Sequence, residues 1–164
     1  MKTLYIVRHA KSSWKHDNLT DFERPLNKRG HGDAPMMGRI LAERGTTIGL
    51  LRSSPANRAL TTARMLAQEL DFPLDSIETD EGMYGASHRQ LFETVRSFPD
   101  EVAQAMIVGH NPGSQLFAEY LTDFPESNLP TCGIVCIDFE CEQWENIQPG
   151  SGTLRFYEYP RRHK

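Results

Sequence analysis

A chain of 164 residues with 38% apolar side chains is long enough to bury one core and too short for two comfortable domains. No stretch reaches the roughly 18 apolar residues that a membrane span needs, and a single Lys2 ahead of a short apolar run does not have the shape of a secretory signal. The expectation is one soluble, cytoplasmic domain over 1–160 with a frayed basic tail at 161–164.

Leu4-Tyr5-Ile6-Val7 is too short for a helix and too apolar for a loop, and reads as a buried parallel strand over 3–8. Arg8-His9-Ala10-Lys11 follows at its carboxyl end, where open α/β sheets bind ligands. A guanidinium beside an imidazole at that place makes an anion pocket with a candidate nucleophile in it. Residues 11–26 show no periodicity, and loops of that length in compact domains are often functional. A helix is predicted near 28–44, capped by Asn27, with Ala34, Met37, Ile40 and Leu41 as its apolar stripe and Gly45 at its end. Strand 48–52 then leads through Ser53-Ser54-Pro55-Ala56-Asn57-Arg58 into a helix near 56–70, closed by the Asp71-Phe72-Pro73 turn.

A short strand near 76–79 and a helix near 87–98, with Leu91, Val95 and Phe98 on one face, come next. Strand 105–109 empties into Gly109-His110-Asn111-Pro112-Gly113 and a helix near 113–122. From residue 132 the pattern changes to β runs at 133–139, weakly around Trp144, and at 153–159, read as added edge strands. The alternation predicts a three-layer, doubly wound α/β fold: a mostly parallel sheet, helices on both faces, and edge strands at the C-terminus.

A lone His after a strand is usually a satisfied polar or surface residue, and Arg58 alone would read as an exposed helix residue paired with a nearby acid. Three strand ends, however, deliver Arg8, His9, Arg58 and His110 to one rim, which chance explains poorly. Charge is segregated to match. Residues 1–65 hold 12 Lys/Arg and 5 Asp/Glu, residues 66–145 hold 2 and 16, and the remainder holds 4 and 1. A positive mouth on an acidic body draws phosphorylated ligands and discourages nucleic acid, although two plain solvated faces would give the same counts. Cys132, Cys136 and Cys141 lack a CxxC pair and a nearby His, so a metal role is discounted. Cys136 reads as a small buried hydrophobe.

RHAKSSW at 8–14, RPLNKRG at 24–30, SSPANRALTTA at 53–63 and VGHNPG at 108–113 resemble the histidine phosphatase (phosphoglycerate mutase-like) superfamily. RPLNKRG points to its short SixA-like phosphohistidine phosphatase branch, and the resemblance runs from residue 3 to about residue 140. It implies a phosphatase that forms a phosphohistidine intermediate and needs no metal or other cofactor. As nucleophile, His9 must keep one ring nitrogen free and neutral while the other donates to a fixed acceptor. Arg8 and Arg58 would favour the neutral imidazole and hold the phosphoryl oxygens as forks. The resemblance implies that His110 contacts the transferring group from the opposite side.

It also suggests Glu81, in Glu81-Gly82-Met83-Tyr84-Gly85, as proton donor to the leaving group, although an acidic run such as 78–81 is ordinarily a solvated loop. Three functions stay open. They are a phosphatase acting on phosphohistidine of a signalling or phosphotransfer protein, a small-molecule phosphatase or mutase, and a non-catalytic phospho-ligand module. Partners would be phosphorylated proteins or small phosphorylated substrates, with no nucleic acid or membrane, and nothing in the sequence fixes an oligomeric state.

Overall fold

A computed structural model describes the whole chain, Met1–Lys164. The N-terminal apolar run lies at the centre of a six-stranded sheet. Its strands are β1 (Lys2–Arg8), β2 (Leu50–Ser53), β3 (Glu78–Thr79), β4 (Gln104–Gly109), β5 (Ile134–Phe139) and β6 (Thr153–Glu158). Their order is β3-β2-β4-β1-β5-β6. β3, β2, β4 and β1 pair in parallel, whereas β5 runs antiparallel to β1 and β6 antiparallel to β5. Four helices connect them: α1 (Lys28–Glu43), α2 (Asn57–Glu69), α3 (His88–Arg96) and α4 (Gly113–Leu121).

The pleat of β1 explains the layering, because successive side chains point to opposite faces. Leu4 and Ile6 join one core with Leu91 and Val95 of α3 and Phe117 and Leu121 of α4. Tyr5 and Val7 join the other with Met37 and Leu41 of α1 and Ala63 and Leu66 of α2. Both faces of the central strands are covered, which is why they read as continuous apolar runs rather than alternating ones. Asn27 caps α1, its Oδ1 accepting from the Gly30 amide at 2.9 Å. Asp71 after α2 and Gly45 after α1 take positive φ, the left-handed backbone that turns the chain out of a helix.

Two expectations need correction. The region around Trp144 is not a strand but one turn of 3₁₀ helix, Trp144–Asn146. Its indole is fully buried edge-on to Phe98, and Nε1–H donates to the Val102 carbonyl at 2.8 Å. The C-terminal basic segment is not frayed. Pro160–His163 form a 3₁₀ turn, His163 donates to Glu158 at 2.9 Å, and Lys164 Nζ lies 2.7 Å from Asp33. No helix is long and apolar enough to cross a membrane.

Candidate active site

The register of the parallel strands assembles the site. Arg8 pairs with Gly109 across β1 and β4, so His9 and His110 emerge side by side just past the last pair. The His9 amide donates to the Gly109 carbonyl at 3.0 Å, and the Ser54 amide to the Val108 carbonyl at 3.0 Å. Three adjacent carboxyl ends thus converge. The two imidazole centroids stand 5.2 Å apart. A pocket of about 220 Å³ is lined by Arg8, His9, Arg24, Arg58 and His110, with Lys11, Ser12, Trp14, Asn111 and Thr131 completing it. Its charged residues are all cations.

His9 is buried, and its Nδ1 lies 2.7 Å from the Ala10 carbonyl. A carbonyl oxygen only accepts, so Nδ1 carries the proton and Nε2 is left with a free lone pair. Burial is the main cause that lowers the His9 pKa to about 3; His110, Arg58 and Arg8 push the same way, while the bond to Ala10 opposes them. The ring is therefore neutral at physiological pH. His110 is also held low, at about 4, chiefly by burial and then by the charge of Arg58. Its Nε2 sits 2.8 Å from Ser54 Oγ, which in turn accepts from the Ala56 amide at 3.2 Å. Nε2 is the one acceptor in reach of the buried Ser54 hydroxyl, so the hydroxyl donates to Nε2 and the proton of His110 lies on Nδ1.

The arginines are anchored by part of their forks. Arg8 Nη1 donates to the Leu129 carbonyl at 3.0 Å. Arg58 Nη1 donates to the Asp21 carbonyl at 2.6 Å and Nη2 to its carboxylate at 3.0 Å. What remains is informative. Among buried side-chain nitrogen and oxygen atoms, only Arg8 Nε, Arg58 Nε, His110 Nδ1 and Gln115 Oε1 have no hydrogen-bond partner. Three of these four belong to residues lining one pocket. Orphaned buried donors cost roughly 1–3 kcal/mol each, and these three belong to residues that border the cationic pocket.

Of the sequence-predicted residues, His9, His110, Arg8 and Arg58 come together at this pocket; Glu81 does not. Glu81 is exposed at the start of a 3₁₀ turn, Glu81–Met83, whose cap is the Asp80 side chain, and it is absent from the lining. Arg58 is buried, yet it is paired with an acid, so both readings of it describe part of the geometry.

That acid, Asp21, is one the sequence did not single out. Its carboxylate also accepts from Tyr84 Oη at 2.6 Å and from Arg24 Nε at 3.2 Å. These bonds, led by the one from Tyr84, hold its pKa down to about 2. Tyr84, within the Glu81–Gly85 motif, packs edge-on to His110 at 5.6 Å.

The RPLNKRG segment has a structural explanation as well. Arg24 Nη1 donates to Ser12 Oγ at 2.6 Å, which pins the loop after His9. Asn27 caps α1 above that loop, and a Cβ at Gly30 would collide with the Lys11 carbonyl, so only glycine lets the helix close onto it. Ser54 lies in the SSPANR motif, but no pattern announced its bond to His110. The three thiols are pushed up chiefly by burial, with Cys132 and Cys136 inside the core, so none is a ready nucleophile. No group of three or more His, Cys, Asp or Glu side chains is arranged to hold a metal ion.

The sequence profile described as "Histidine phosphatase superfamily (branch 1)" matches residues 4–119. An uncharacterized chloroplastic protein of Arabidopsis thaliana is 30% identical over 161 residues, covering 92% of this chain and 72% of that protein. Among solved structures, the protein histidine phosphatase SixA complexed with tungstate is similar with a TM-score of 0.84 at 21% identity, covering 99% of both chains. A mycobacterial glucosyl-3-phosphoglycerate phosphatase is similar with a TM-score of 0.68 at 14% identity, covering 94% of this chain and 97% of that one. At those identities the two structures speak for the fold alone.

Proposed function

This chain belongs to the histidine phosphatase superfamily and is a phosphatase; we propose that it works through a phosphorylated His9 and that its substrate is phosphohistidine on a signalling or phosphotransfer protein. What carries the phosphoryl-transfer reading is the free Nε2 of His9 in a pocket whose charged lining is Arg8, Lys11, Arg24 and Arg58, with no carboxylate. A phosphoryl group brings three acceptor oxygens and negative charge, which guanidinium forks are suited to hold. Phosphoryl transfer asks mainly for positioning and charge neutralisation, which fixed guanidinium and imidazole groups supply.

The steps balance without a redox partner or metal. The Nε2 lone pair of His9 forms a bond to phosphorus as the P–N bond to the substrate imidazole breaks, and the departing nitrogen keeps the electron pair and takes a proton from solvent. Water then attacks phosphorus, the P–Nε2 bond breaks, and inorganic phosphate leaves with neutral His9 restored. Throughout, Nδ1–H stays on the Ala10 carbonyl and fixes the ring.

Phosphohistidine is favoured as substrate by the acids around the pocket. Asp21, which touches Arg58, is held ionised and cannot give up a proton near neutral pH, and Glu81 is exposed outside the lining. An imidazole departs without a strong acid, whereas an alkoxide needs one. The rim is also open. Trp14 is 73% exposed and lies over the Arg24 guanidinium, and Phe22 and Tyr84, packed edge-on at 5.2 Å, are half-exposed next to His110 through Tyr84. An uncovered aromatic rim suits a macromolecular substrate.

The test compares a phosphohistidine protein with an alkyl phosphate, in the wild type and in Glu81→Gln. Faster turnover of the P–N substrate, with little effect of the substitution on it, is the expected result. Preference for the alkyl phosphate, with a loss of roughly 10²–10⁴-fold confined to that substrate in Glu81→Gln, would instead establish a small-molecule phosphomonoesterase with Glu81 as its acid. Binding without turnover of either would leave a phospho-ligand module.

A further inference from the structure

A groove of about 710 Å³ opens beside the phosphate pocket, and Thr131 lines both. Its walls are the first turn of α1 at Arg29, the segment 126–131, and the end of β6 with the C-terminal turn. We propose that this groove docks an acidic polypeptide segment flanking the phosphorylated residue of the substrate protein, an inference that rests on reading the neighbouring pocket as the phosphatase site.

Charge supports this occupant. The phosphate pocket is lined by Arg8, Lys11, Arg24 and Arg58 with no carboxylate, and the groove adds Arg29, Arg161 and Lys164 against the single Glu126. Seven cations and one carboxylate therefore line two cavities that share Thr131, on a chain whose Asp and Glu outnumber its Lys and Arg by 22 to 18. Within the groove, Arg29 and Lys164 share one buried carboxylate, Asp33. Glu158 is taken by Arg44, Arg162 and His163. The exposed Arg161 is left without an acidic partner, and complementary charge at such a site raises the encounter rate and selects among partners.

Size and chemistry favour a polypeptide over a second small anion. A phosphorylated metabolite that fills a 220 Å³ pocket has nothing to place in a groove three times as large. An extended chain rises about 3.3 Å per residue, so a few residues leaving the pocket past Thr131 enter it. There they meet neutral hydrogen-bonding groups on Asn128 and Thr131 and the phenol rings of Tyr157 and Tyr159, whose centroids are 4.9 Å apart. Such groups suit peptide amides, with the cations left for carboxylate side chains. The wall between pocket and groove is fixed from behind, because Arg8 Nη1 and Asn111 Nδ2 both donate to the Leu129 carbonyl, at 3.0 and 2.9 Å.

The experiment uses two phosphohistidine peptides, one with Asp and Glu flanks and one with Ser and Gln flanks, together with phosphoimidazole. Arg161→Glu is expected to lower kcat/KM for the acidic peptide roughly 3- to 10-fold, the scale of reversing one exposed charge pair, and through KM. Turnover of phosphoimidazole should be unchanged, which also shows that the variant is folded. Glu126→Gln should move the acidic peptide the opposite way, and Arg161→Lys should behave as wild type. A second arm measures binding of the unphosphorylated acidic peptide by fluorescence anisotropy, which needs no catalysis. Equal effects of Arg161→Glu on acidic and neutral peptides, or none on either in both arms, would overturn the proposal. Failure of the wild type to hydrolyse any P–N substrate would instead sink the proposed function, and the binding arm would still decide the groove.

Discussion

Two clusters of buried charge lie at different places in this fold, and they are built on opposite rules. At the C-terminal corner, Glu158 is 3% exposed and fully answered: Arg44 Nη2 lies at 2.7 Å, His163 Nε2 at 2.9 Å and Arg162 Nη1 at 3.7 Å. Burial alone would raise its pKa, but the bonds from His163 and Arg44 outweigh that and leave it lowered. At the strand ends, by contrast, Arg8, Arg58 and His110 each keep one buried nitrogen without a partner, around a His9 whose Nε2 is free. The saturated cluster ties α1 and the last turn to β6. The unsaturated one leaves buried donors for water or a ligand to answer, the contrast expected between a binding site and a staple.

The sharpest break of the comparison is at His9. His9→Asn should lower kcat by about 10⁴-fold or more, as loss of a covalent nucleophile does, and should leave the fold intact. The same variant should resist acid better. A His with a folded pKa of about 3 and an ordinary unfolded value near 6.5 binds fewer protons folded than unfolded between those limits. Stability is then fully present above about pH 6.5 and lost as pH falls toward 3. Removing His9 removes its share, so urea midpoints of variant and wild type should converge or cross as pH drops through that window. Parallel midpoints from pH 7 to 4 would count against a buried neutral imidazole.

Arg58→Lys comes next. A lysine has one point of charge and cannot hold Asp21 while offering a second nitrogen to the phosphoryl group, so kcat/KM should fall about 10²-fold, the scale of losing one fixed donor in a reaction site. Retention of near wild-type activity would mean that only charge matters there. Ser54→Ala should cost roughly 5- to 10-fold in kcat, the rate equivalent of one neutral hydrogen bond. It should also change the pH profile, since His110 loses the hydroxyl that sets its tautomer. A change in KM alone would assign Ser54 to binding.

The saturated cluster should behave in reverse. Glu158→Ala should lower stability by about 1–3 kcal/mol, read from denaturant midpoints, while kcat on phosphoimidazole per folded molecule stays within about twofold, inside ordinary variation for a site that carries no catalytic group.

What the sequence revealed follows the same division. The central strands and four helices were legible because burial on both faces, or on one stripe, leaves a periodic trace. His9 and His110 were legible because each sits just past a strand, Arg8 because it closes one, and Arg58 through the SSPANRALTTA motif around it. Residues 11–26 left no trace, since their order comes from contacts with no period, such as Arg24 to Ser12, the Ser13 amide to the Pro25 carbonyl, and Asn57 to Phe22. Asp21 was hidden there. The run around Trp144 read as a weak edge strand rather than a turn, because the ring is held by Phe98 and the Val102 carbonyl and not by a partner strand. Glu81 looked like a site residue through its neighbours, and of that motif it is Tyr84 that reaches His110.

The central claim is that a bond forms between phosphorus and one named atom, and it can be read directly. Wild-type protein mixed with a labelled phosphohistidine substrate and quenched in base within milliseconds should carry acid-sensitive, base-stable label on His9. Since Nδ1–H is committed to the Ala10 carbonyl, the trapped isomer should bear its phosphoryl group on Nε2. Label on Nδ1 of His9, on His110, or on a cysteine or aspartate would contradict the account.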